Sequence, residues 1–459
     1  MTTRVPMFET PVKTTATHIY PFFMPSHVAT PDKAARFTSE MQRRAKRDRE
    51  TLLYIHIPYC LSHCLFCHCG RTTLPGGRSA TEVLDEYLAL LYKEMEIWAR
   101  AGAVGNIRYV HVGGGTPSLL SVEQFDGLIR KLKSLFSFPQ GLEINIEGEI
   151  QTLNDEAKIA AYSQLPISRI SFGVQTFHEP SRRICNLRPT HADILECVDR
   201  LRKHRFAITI DLLYGLPGQD METVEADLRE TVRLKVDSLD IYRVNLYPGQ
   251  FIYEKYAKSH PQMLDERLKY EMYDRIIDHM TAAGYEHLTD EIFSLPGGPY
   301  GALKEGVVRS GERRMDMIGM GAGVFSICET MCAKSSYLED YAKQVTSGQL
   351  PLQLVYDWTE EDEHTFMAIR GLCRGFTVHK NDRFYPGFEA RYREKLDRFR
   401  QHGLIAETAD KLILTRSGKL WHQNMILEFL NAKHLEGMRF YENVRFAPPP
   451  TPTRPAAQV

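Results

Sequence analysis

The sequence lacks the features that tie a chain to a membrane, to a secretory route or to nucleic acid. No apolar run in its 459 residues approaches the roughly 20 residues that span a bilayer. Residues 1–13 contain no apolar core followed by a small-residue cleavage site, as a secretory signal would. Lysine and arginine number 57 and aspartate and glutamate 58, so the net charge of −1 offers nucleic acid no general attraction. We therefore expect no membrane span and no nucleic-acid partner.

Cysteine is scarce and unevenly placed. Nine cysteines is an odd number, and four of them lie between Cys60 and Cys69. A disulfide framework would pair its cysteines and spread them along the chain, so we expect a reducing, cytoplasmic setting and a metal site. Cys328 and Cys332, at C-x3-C spacing, invite a second metal or a methyl-carrying thiol. A structural role is the simpler interpretation, because no further ligands cluster there.

Length and patterning predict a fold of more than one part, since an average domain has about 150 residues. Short apolar segments suited to buried strands alternate about six times with helix-length segments whose apolar residues recur at three and four spacing. The alternation favours a parallel sheet with crossover helices, and six units fall short of the eight that close a full barrel. We predict an α/β fold, an open partial (β/α)6 barrel with a smaller, mostly helical C-terminal domain.

The same spacing of apolar residues predicts the bounds of the individual strands and helices. Strands are predicted over 52–57, 107–112, 142–147, 169–173, 206–214 and 239–244. Helices are predicted over 83–99, 122–136, 155–162, 193–204, 223–234, 265–283 and 419–430, with a hairpin over 404–414. We divide the chain into an N-terminal extension without clear period (1–50), the partial barrel (51–250), a barrel-completing segment that covers the substrate (251–355), a helical, winged-helix-like domain (356–446) and a disordered tail (447–459).

The segment 54–70, YIHIPYCLSHCLFCHCG, carries the strongest chemical signal. Cys60, Cys64 and Cys67 stand at C-x3-C-x2-C spacing directly after a predicted strand, and thiolates suit iron–sulfur clusters and zinc. Three thiolates on one loop can bind three irons of a [4Fe–4S] cluster and leave the fourth iron open for chemistry. The alternative is structural zinc with Cys69, His63 or His68 as fourth ligand, although such sites usually take two ligand pairs from separate segments.

A glycine-rich turn follows the second predicted strand. Residues 111–117 read HVGGGTP, and three consecutive glycines allow a backbone to approach a ligand closely and to expose its amide donors. A simple strand-to-helix turn explains the same pattern equally well. A later glycine-rich segment, 318–326 (IGMGAGVFS), does not have the G-x-G-x-x-G spacing of a dinucleotide site.

The cysteine segment resembles the cluster loop of radical S-adenosylmethionine (SAM) enzymes. From about Leu52 to Phe429 the chain is similar to the oxygen-independent coproporphyrinogen III oxidase family, which includes a C-methyltransferase branch of anaerobic heme-utilisation and quinone methylases. The resemblance implies a barrel of radical SAM type and a [4Fe–4S] cluster on Cys60, Cys64 and Cys67, with Cys69 not a ligand. It also implies that SAM chelates the open iron and that an electron, from a donor such as flavodoxin or ferredoxin, cleaves it to methionine and a 5′-deoxyadenosyl radical. We further expect a monomer.

The resemblance also implies which residues hold SAM, two molecules of it per chain. Gly114 matches the contact to the SAM amino group, and Glu147 the contact to a ribose of the first SAM. Gln175, Asp211 and part of the glycine turn, Gly115–Thr116, match contacts to the second SAM. The full set of matching positions is Tyr54, Phe66, Gly114, Gly115, Thr116, Glu147, Gln175, Arg188, Asp211, Asn245 and Phe325, with Tyr54 also placed beside the cysteines at the catalytic centre.

Two positions depart from the family pattern. The family follows its glutamate with x-Asp-Pro or x-Asn-Pro, whereas Gly148, Glu149 and Ile150 follow here. The family arginine that pairs with a SAM carboxylate aligns with Leu187. Arg188 is our candidate to replace it, because a guanidinium binds a carboxylate bidentately, and Arg182 and Arg183 are its rivals.

The resemblance leaves three reactions open. The first is radical C-methylation of a planar aromatic or tetrapyrrole substrate such as heme or a quinone, and the second is oxidative decarboxylation of coproporphyrinogen III. The third is a heme chaperone on the same fold. Residues 304–321, KEGVVRSGERRMDMIGMG, carry neither the oxidase loop nor the His-Asn-x-x-Tyr-Trp motif of the chaperone, and Cys69 also departs from the chaperone. We therefore expect methylation of a planar small molecule, with the oxidase as the alternative.

Overall fold

A computed structural model describes residues 7–12, 23–67, 72–246, 248, 250–298 and 315–438. The strands are β1 Glu50–Ile57, β2 Tyr59–Cys60, β3 Thr72–Thr73, β4 Asn106–Gly114, β5 Glu143–Gly148, β6 Arg169–Gln175, β7 Ala207–Tyr214, β8 Ser238–Arg243, β9 Glu286–His287, β10 Ile292–Ser294, β11 Asp316–Met320, β12 Phe325–Ile327, β13 Met331–Ser335, β14 Leu352–Asp357, β15 Thr377–His379, β16 Ile405–Glu407 and β17 Lys411–Leu414.

The helices connect and cover these strands. They are α1 Pro31–Ala45, α2 Ala80–Ala101, α3 Val122–Leu135, α4 Ile150–Leu153, α5 Glu156–Tyr162, α6 Glu179–Ile184, α7 His191–Lys203, α8 Met221–Leu234, α9 Phe251–Tyr256, α10 Glu266–Ala282, α11 Leu338–Thr346, α12 Glu360–Phe366, α13 Tyr385–Gln401, α14 Arg416–Leu420 and α15 His422–Phe429, with a π-helical segment, Met367–Arg374, directly after α12. No described helix is long and apolar enough to cross a membrane.

One twelve-stranded sheet forms the centre of the structure. Its strand order is β14-β13-β12-β11-β1-β4-β5-β6-β7-β8-β10-β9. The run from β11 through β1 and β4 to β8 is parallel, and both ends continue with antiparallel strands. The predicted α/β fold with its partial (β/α)6 barrel is therefore confirmed. The sheet is longer than the six predicted strands because β11 to β14 extend it beside β1, and β10 and β9 extend it beside β8.

The two faces of the parallel strands differ sharply. On β1, Leu53, Ile55 and Ile57 are fully buried in the main apolar core with the covering helices. The alternate positions, Tyr54 and His56, lie on the other face beside His111 of β4. Because side chains alternate along a strand, one face of each strand packs against helices and the other builds a polar interior.

The C-terminal part has an apolar core of its own. The π-helical segment and helices α12, α13 and α15 pack against a small antiparallel sheet of order β15-β17-β16. Ion pairs join it to the barrel: Arg374 binds Asp290 and Glu291 at 3.0 and 2.7 Å, and Arg383 binds Glu329 at 2.9 Å. The mostly helical character predicted for this part agrees with the structure, while the predicted domain boundaries stay predictions.

Two predicted elements are wrong. Residues 31–45 are the helix α1, not an extension without period: the Thr30 side chain caps Lys33 N, Pro31 starts the helix, and Phe37 and Met41 are buried. The single helix predicted over 419–430 is two helices, α14 and α15, which meet at Trp421. The predicted tail 447–459 and Cys69 lie outside the described residues.

A buried carboxylate connects α2 to the turn after β11. Glu94 is 1 % exposed, and its side chain accepts hydrogen bonds from Gly321 N and Tyr341 Oη, both at 2.7 Å, and from Trp98 Nε1 at 3.3 Å. Next to it, the Tyr87 hydroxyl donates to the His56 carbonyl at 2.7 Å. Burial raises the pKa of Glu94 from 4.5 to about 7, although the three donors act in the opposite direction.

This raised pKa predicts how stability depends on pH. Between about pH 4.5 and 7 the folded state keeps a proton on Glu94 that the unfolded state has released, so the free energy of unfolding should fall as pH rises through this range. The loss is on the order of 3 kcal/mol. Urea unfolding between pH 4.5 and 8 would show this slope in the wild type and in Glu96→Gln, an exposed control on the same helix, but not in Glu94→Gln. An equal slope in Glu94→Gln would contradict the assignment.

Candidate active site

The carboxyl ends of the parallel strands surround a cavity of about 260 Å³. Ligands bind at this edge in parallel α/β folds because the loops after all strands meet there. The predicted site residues that line it are Cys60, Cys64, Phe66, Cys67, Gly114, Gly115, Thr116, Glu147, Gln175, Arg188 and Asp211. The structure thus brings into one cavity residues that lie more than a hundred positions apart in the chain.

The three cysteines lie on the loop that follows β1. Cys60 ends β2 and is buried, while Cys64 and Cys67 are half-buried. Two hydrogen bonds attach the loop to the segment after α6: Leu65 N donates to the Cys185 carbonyl at 3.1 Å, and Asn186 Nδ2 donates to the His63 carbonyl at 2.8 Å. None of the eight described cysteines forms a disulfide.

The donor set fits an iron–sulfur cluster better than a single ion. Among the described residues, no group of three or more His, Cys, Asp or Glu side chains is close enough together to hold one metal ion. A mononuclear zinc site would need such a group, whereas each cysteine of a [4Fe–4S] cluster binds a different iron. Three cysteines on one loop match the number of protein ligands that a [4Fe–4S] cluster with one open iron requires.

The glycine turn after β4 packs against the start of the cysteine loop. Gly115 N donates to the Ile57 carbonyl at 2.7 Å, and Thr116 N donates to the Tyr59 carbonyl at 2.8 Å. A Cβ at position 115 would lie 2.5 Å from the Tyr59 oxygen, so no other residue fits without a shift. Thr116 Oγ1 also donates to Cys60 Sγ at 3.4 Å. The glycines allow the protein's own strands to approach each other, in addition to any ligand contact.

Glu147 is held by a histidine that sequence reasoning did not assign to the site. His111 Nε2 lies 2.6 Å from Glu147 Oε1, and Gly114 N donates to Glu147 Oε2 at 3.0 Å. Asn145 Nδ2 lies 3.1 Å from His111 Nδ1, so Nδ1 is the acceptor and Nε2 carries the proton donated to Glu147. Burial acts to raise the pKa of Glu147, but His111 and the Gly114 amide outweigh it, and the pKa lies below its ordinary value.

Gln175 and Asp211 lie on neighbouring strands. Gly173 is the register partner of Asp211, and a Cβ at position 173 would come within 2.2 Å of Gln175 Nε2. The Gln175 amide therefore folds back over Gly173, the register partner of Asp211. Gln175 itself has a φ of +70°, which is rare for a residue with a side chain.

The structure separates the three candidate arginines. Arg188 is exposed and lines the cavity. Arg183 is exposed and is not among the lining residues. Arg182 also lines the cavity but is only 1 % exposed, and its guanidinium donates to backbone carbonyls, at 2.7 Å to Thr176 O and 2.8 Å to Val174 O. Of the three, Arg188 is the one placed to meet a ligand carboxylate.

Three predicted residues do not line this cavity. Tyr54 stacks on His111, with ring centroids 5.4 Å apart. Asn245 follows β8 at the carboxyl ends of the strands. Phe325 stacks on Phe23 at 5.8 Å, in a separate apolar cluster, so it does not face this cavity as expected.

The geometry of Glu147 predicts the effect of losing its partner. His111→Phe keeps a ring beside Tyr54 but removes the donor, so SAM should bind about ten- to a hundred-fold more weakly, as expected for one hydrogen bond to a charged group. Equilibrium dialysis with SAM at pH 7 would measure this. His191→Phe is the matched control, because His191 makes a 2.7 Å contact with Glu230, and neither residue lines the cavity. Unchanged binding in His111→Phe would show that the pair does not serve the ligand.

The cysteine loop yields a second prediction. Alanine at Cys60, Cys64 or Cys67 should abolish iron binding, whereas Cys185→Ala should retain it. Cys185 is the matched control because it touches the same loop and is fully buried, and burial raises the pKa of its thiol to about 12. Iron and sulfide analysis of reconstituted protein would decide. Loss of iron in Cys185→Ala equal to that in Cys60→Ala would contradict the ligand assignment.

Comparison with known proteins agrees with this geometry. Residues 54–231 match the model of the Radical SAM superfamily. Heme chaperone HemW of Lactococcus lactis is 26 % identical over 381 residues, covering 82 % of this chain and 96 % of the relative. Oxygen-independent coproporphyrinogen III oxidase of Pseudomonas aeruginosa is 27 % identical over 402 residues, covering 82 % and 85 %.

A solved structure shows the same fold. Coproporphyrinogen III oxidase (HemN) from Escherichia coli superimposes with a TM-score of 0.76 over 92 % of this chain and 99 % of that chain, at 23 % identity. These relatives are named for coproporphyrinogen oxidation or as a heme chaperone. The expected methyl transfer therefore gains no support, and the oxidase alternative is favoured. The chain is therefore similar to the Radical SAM superfamily over residues 54–231 and to these two groups of proteins over most of its length.

Proposed function

We propose that the protein is a radical SAM enzyme that oxidises a porphyrinogen, removing propionate carboxyl groups as an oxygen-independent coproporphyrinogen III oxidase does. One observation carries the proposal. Three cysteines suited to a cluster share one cavity with a glycine turn, Glu147, Gln175 and Asp211, at the carboxyl ends of a parallel sheet. The oxidase and the heme chaperone among the relatives are both named for tetrapyrroles, which supports the substrate class.

The residues present fit a [4Fe–4S] cluster and SAM. A bound cluster supplies the electron that cleaves SAM. Cys60, Cys64 and Cys67 would hold the cluster, and Glu147, kept ionised by His111, would accept hydrogen bonds from ribose hydroxyls.

A second set of polar groups lies on the neighbouring strands. Gln175, Asp211 and Arg188 offer an amide, a carboxylate and a guanidinium in the same cavity. A carboxylate and a guanidinium together complement the ammonium and carboxylate of an amino acid. We assign these three residues to a second SAM molecule, so the proposal places two SAM molecules in each chain.

The cavity wall also has an apolar side. Phe66, Leu187, Leu213 and Tyr242 line it together with the polar residues. Such a wall suits a planar macrocycle, because ligand sites bury apolar surface and use a few polar groups for orientation. Cys328 and Cys332 are fully buried away from this cavity, which supports the structural role predicted for them.

The reaction can be tested by product analysis. Reconstituted protein would be incubated without oxygen with coproporphyrinogen III, methyl-deuterated SAM and a reductant, either dithionite or a flavodoxin. We expect 5′-deoxyadenosine and a product lighter by one CO₂ and two hydrogen atoms for each propionate converted, without deuterium. Cys64→Ala, which removes a proposed cluster ligand, should release no 5′-deoxyadenosine.

Other outcomes would contradict the proposal in distinct ways. Deuterium in a heavier product, with S-adenosylhomocysteine formed beside 5′-deoxyadenosine, would show methyl transfer. Heme binding without 5′-deoxyadenosine under any reductant would show a chaperone.

A further inference from the structure

Arg182, on the short helix α6, is one of the largest fully buried side chains of the protein. Its guanidinium binds three backbone carbonyls. Nη1 donates to Val174 O at 2.8 Å and to Thr176 O at 2.7 Å, and Nε and Nη2 both donate to Pro189 O. One side chain therefore joins two segments, the end of β6 and the residues that follow α6.

The charge of Arg182 is not matched by an acid. Within the described residues, no carboxylate lies within ion-pair distance of it, and the nearby Asp227 carboxylate accepts from Thr176 Oγ1 and Phe177 N instead. Burial lowers the pKa of Arg182. Burying a charged guanidinium against neutral acceptors lowers the stability of the folded state. We therefore expect Arg182 to position other residues or to contribute to ligand binding.

The carbonyls that Arg182 binds flank the strained residue Gln175. Thr176 N donates to Val174 O at 2.9 Å, and the residue between them has a φ of +70°. A hydrogen bond from residue i+2 to residue i around a positive φ is the rare and strained form of the γ-turn. Two hydrogen bonds from one guanidinium hold both carbonyls of this turn in place.

The turn decides where the Gln175 amide lies. Only because Gly173 lacks a Cβ can Gln175 Nε2 fold back over it, beside the register partner Asp211. The third carbonyl belongs to Pro189, which directly follows Arg188, and Arg188 lines the same cavity as Gln175. Arg182 therefore fixes two segments that each present one polar side chain to the ligand.

We propose that Arg182 is a positioning residue, which holds Gln175 and Arg188 in their binding orientation and so sets the affinity of the second SAM position. The inference rests on the proposed function in taking SAM as the ligand. Lysine cannot replace the arginine, because one ammonium lacks the planar fork that reaches carbonyls on two segments. Arg182 also borders the cavity, but its guanidinium donates to the three carbonyls, so it acts through Gln175 and Arg188.

The test compares Arg182→Lys with Arg183→Gln, a change at the exposed neighbour on the same helix. In SAM-free protein, hydrogen exchange at residues 174–176 should accelerate in Arg182→Lys only. Equilibrium dialysis of cluster-containing protein should then show one SAM bound as in the wild type and the other about ten- to a hundred-fold more weakly, with iron content unchanged. Accelerated exchange with two SAM molecules bound as in the wild type would overturn the proposal, as would unchanged exchange.

The Gln175→Gly variant distinguishes a role of Arg182 in holding the turn from a general contribution to the stability of the fold. Glycine adopts a φ of +70° without strain, so Arg182→Lys should lower the melting temperature much less in the Gln175→Gly background than in the wild type. Equal losses in both backgrounds would show that Arg182 does not act through the turn. Wild-type protein that binds no SAM would contradict the proposed function, and exchange at residues 174–176 would still decide whether Arg182 holds the turn.

Discussion

Parallel pairing of the strands from β11 and β1 to β8 is the constraint on which the rest of the molecule depends. Because all these strands run in one direction, the loops that leave them meet at one edge, and the cysteines after β1 come to face Asp211 on β7. The same pairing sets the register that places Tyr54, His111 and Asn145 side by side on neighbouring strands. The fold and the position of the site therefore both follow from the parallel pairing of these strands.

Three polar side chains at or near the carboxyl edge of the sheet are buried or lie in the cavity, and hydrogen bonds within the protein satisfy them. Glu147 is satisfied by His111 and an amide, Glu94 by three donors, and Arg182 by carbonyls of two segments. Each of these side chains holds a backbone turn at the cavity or beside it, at Gly114, Gly321 and Gln175 respectively. A hydrogen-bonded polar side chain fixes a turn more firmly than apolar packing does, since hydrogen bonds are directional. Glu147, Glu94 and Arg182 thus hold the backbone in place at three turns.

The sequence predicts the barrel well because its signals are local. Each barrel strand is a short apolar run between helical periods, so the predicted and observed bounds of β5, for example, differ by one residue at each end. Helix α1 was not predicted although Thr30 and Pro31 are local signals of a helix start, because its large apolar residues are few. Its docking also depends on Arg44, which pairs with Asp316 far along the chain. Trp421, at the break between α14 and α15, contacts Phe8 and Tyr270, which are far from it in the chain and which no local pattern reveals.

The candidate site, like the fold, has parts that the sequence predicts and parts that it does not. Motif order places the cysteines, the glycine turn, Glu147 and Gln175 because those residues follow strands, and a parallel sheet brings strand ends together. No local pattern reveals that His111 holds Glu147, because their contact arises from the pairing of β4 with β5. The resemblance aligns the family arginine with Leu187, and the neighbouring Arg188 lines the cavity. Arg182, five residues before Leu187, is buried and binds the carbonyls of Val174, Thr176 and Pro189. No local pattern predicts these contacts, because they join two segments that meet only in the folded chain.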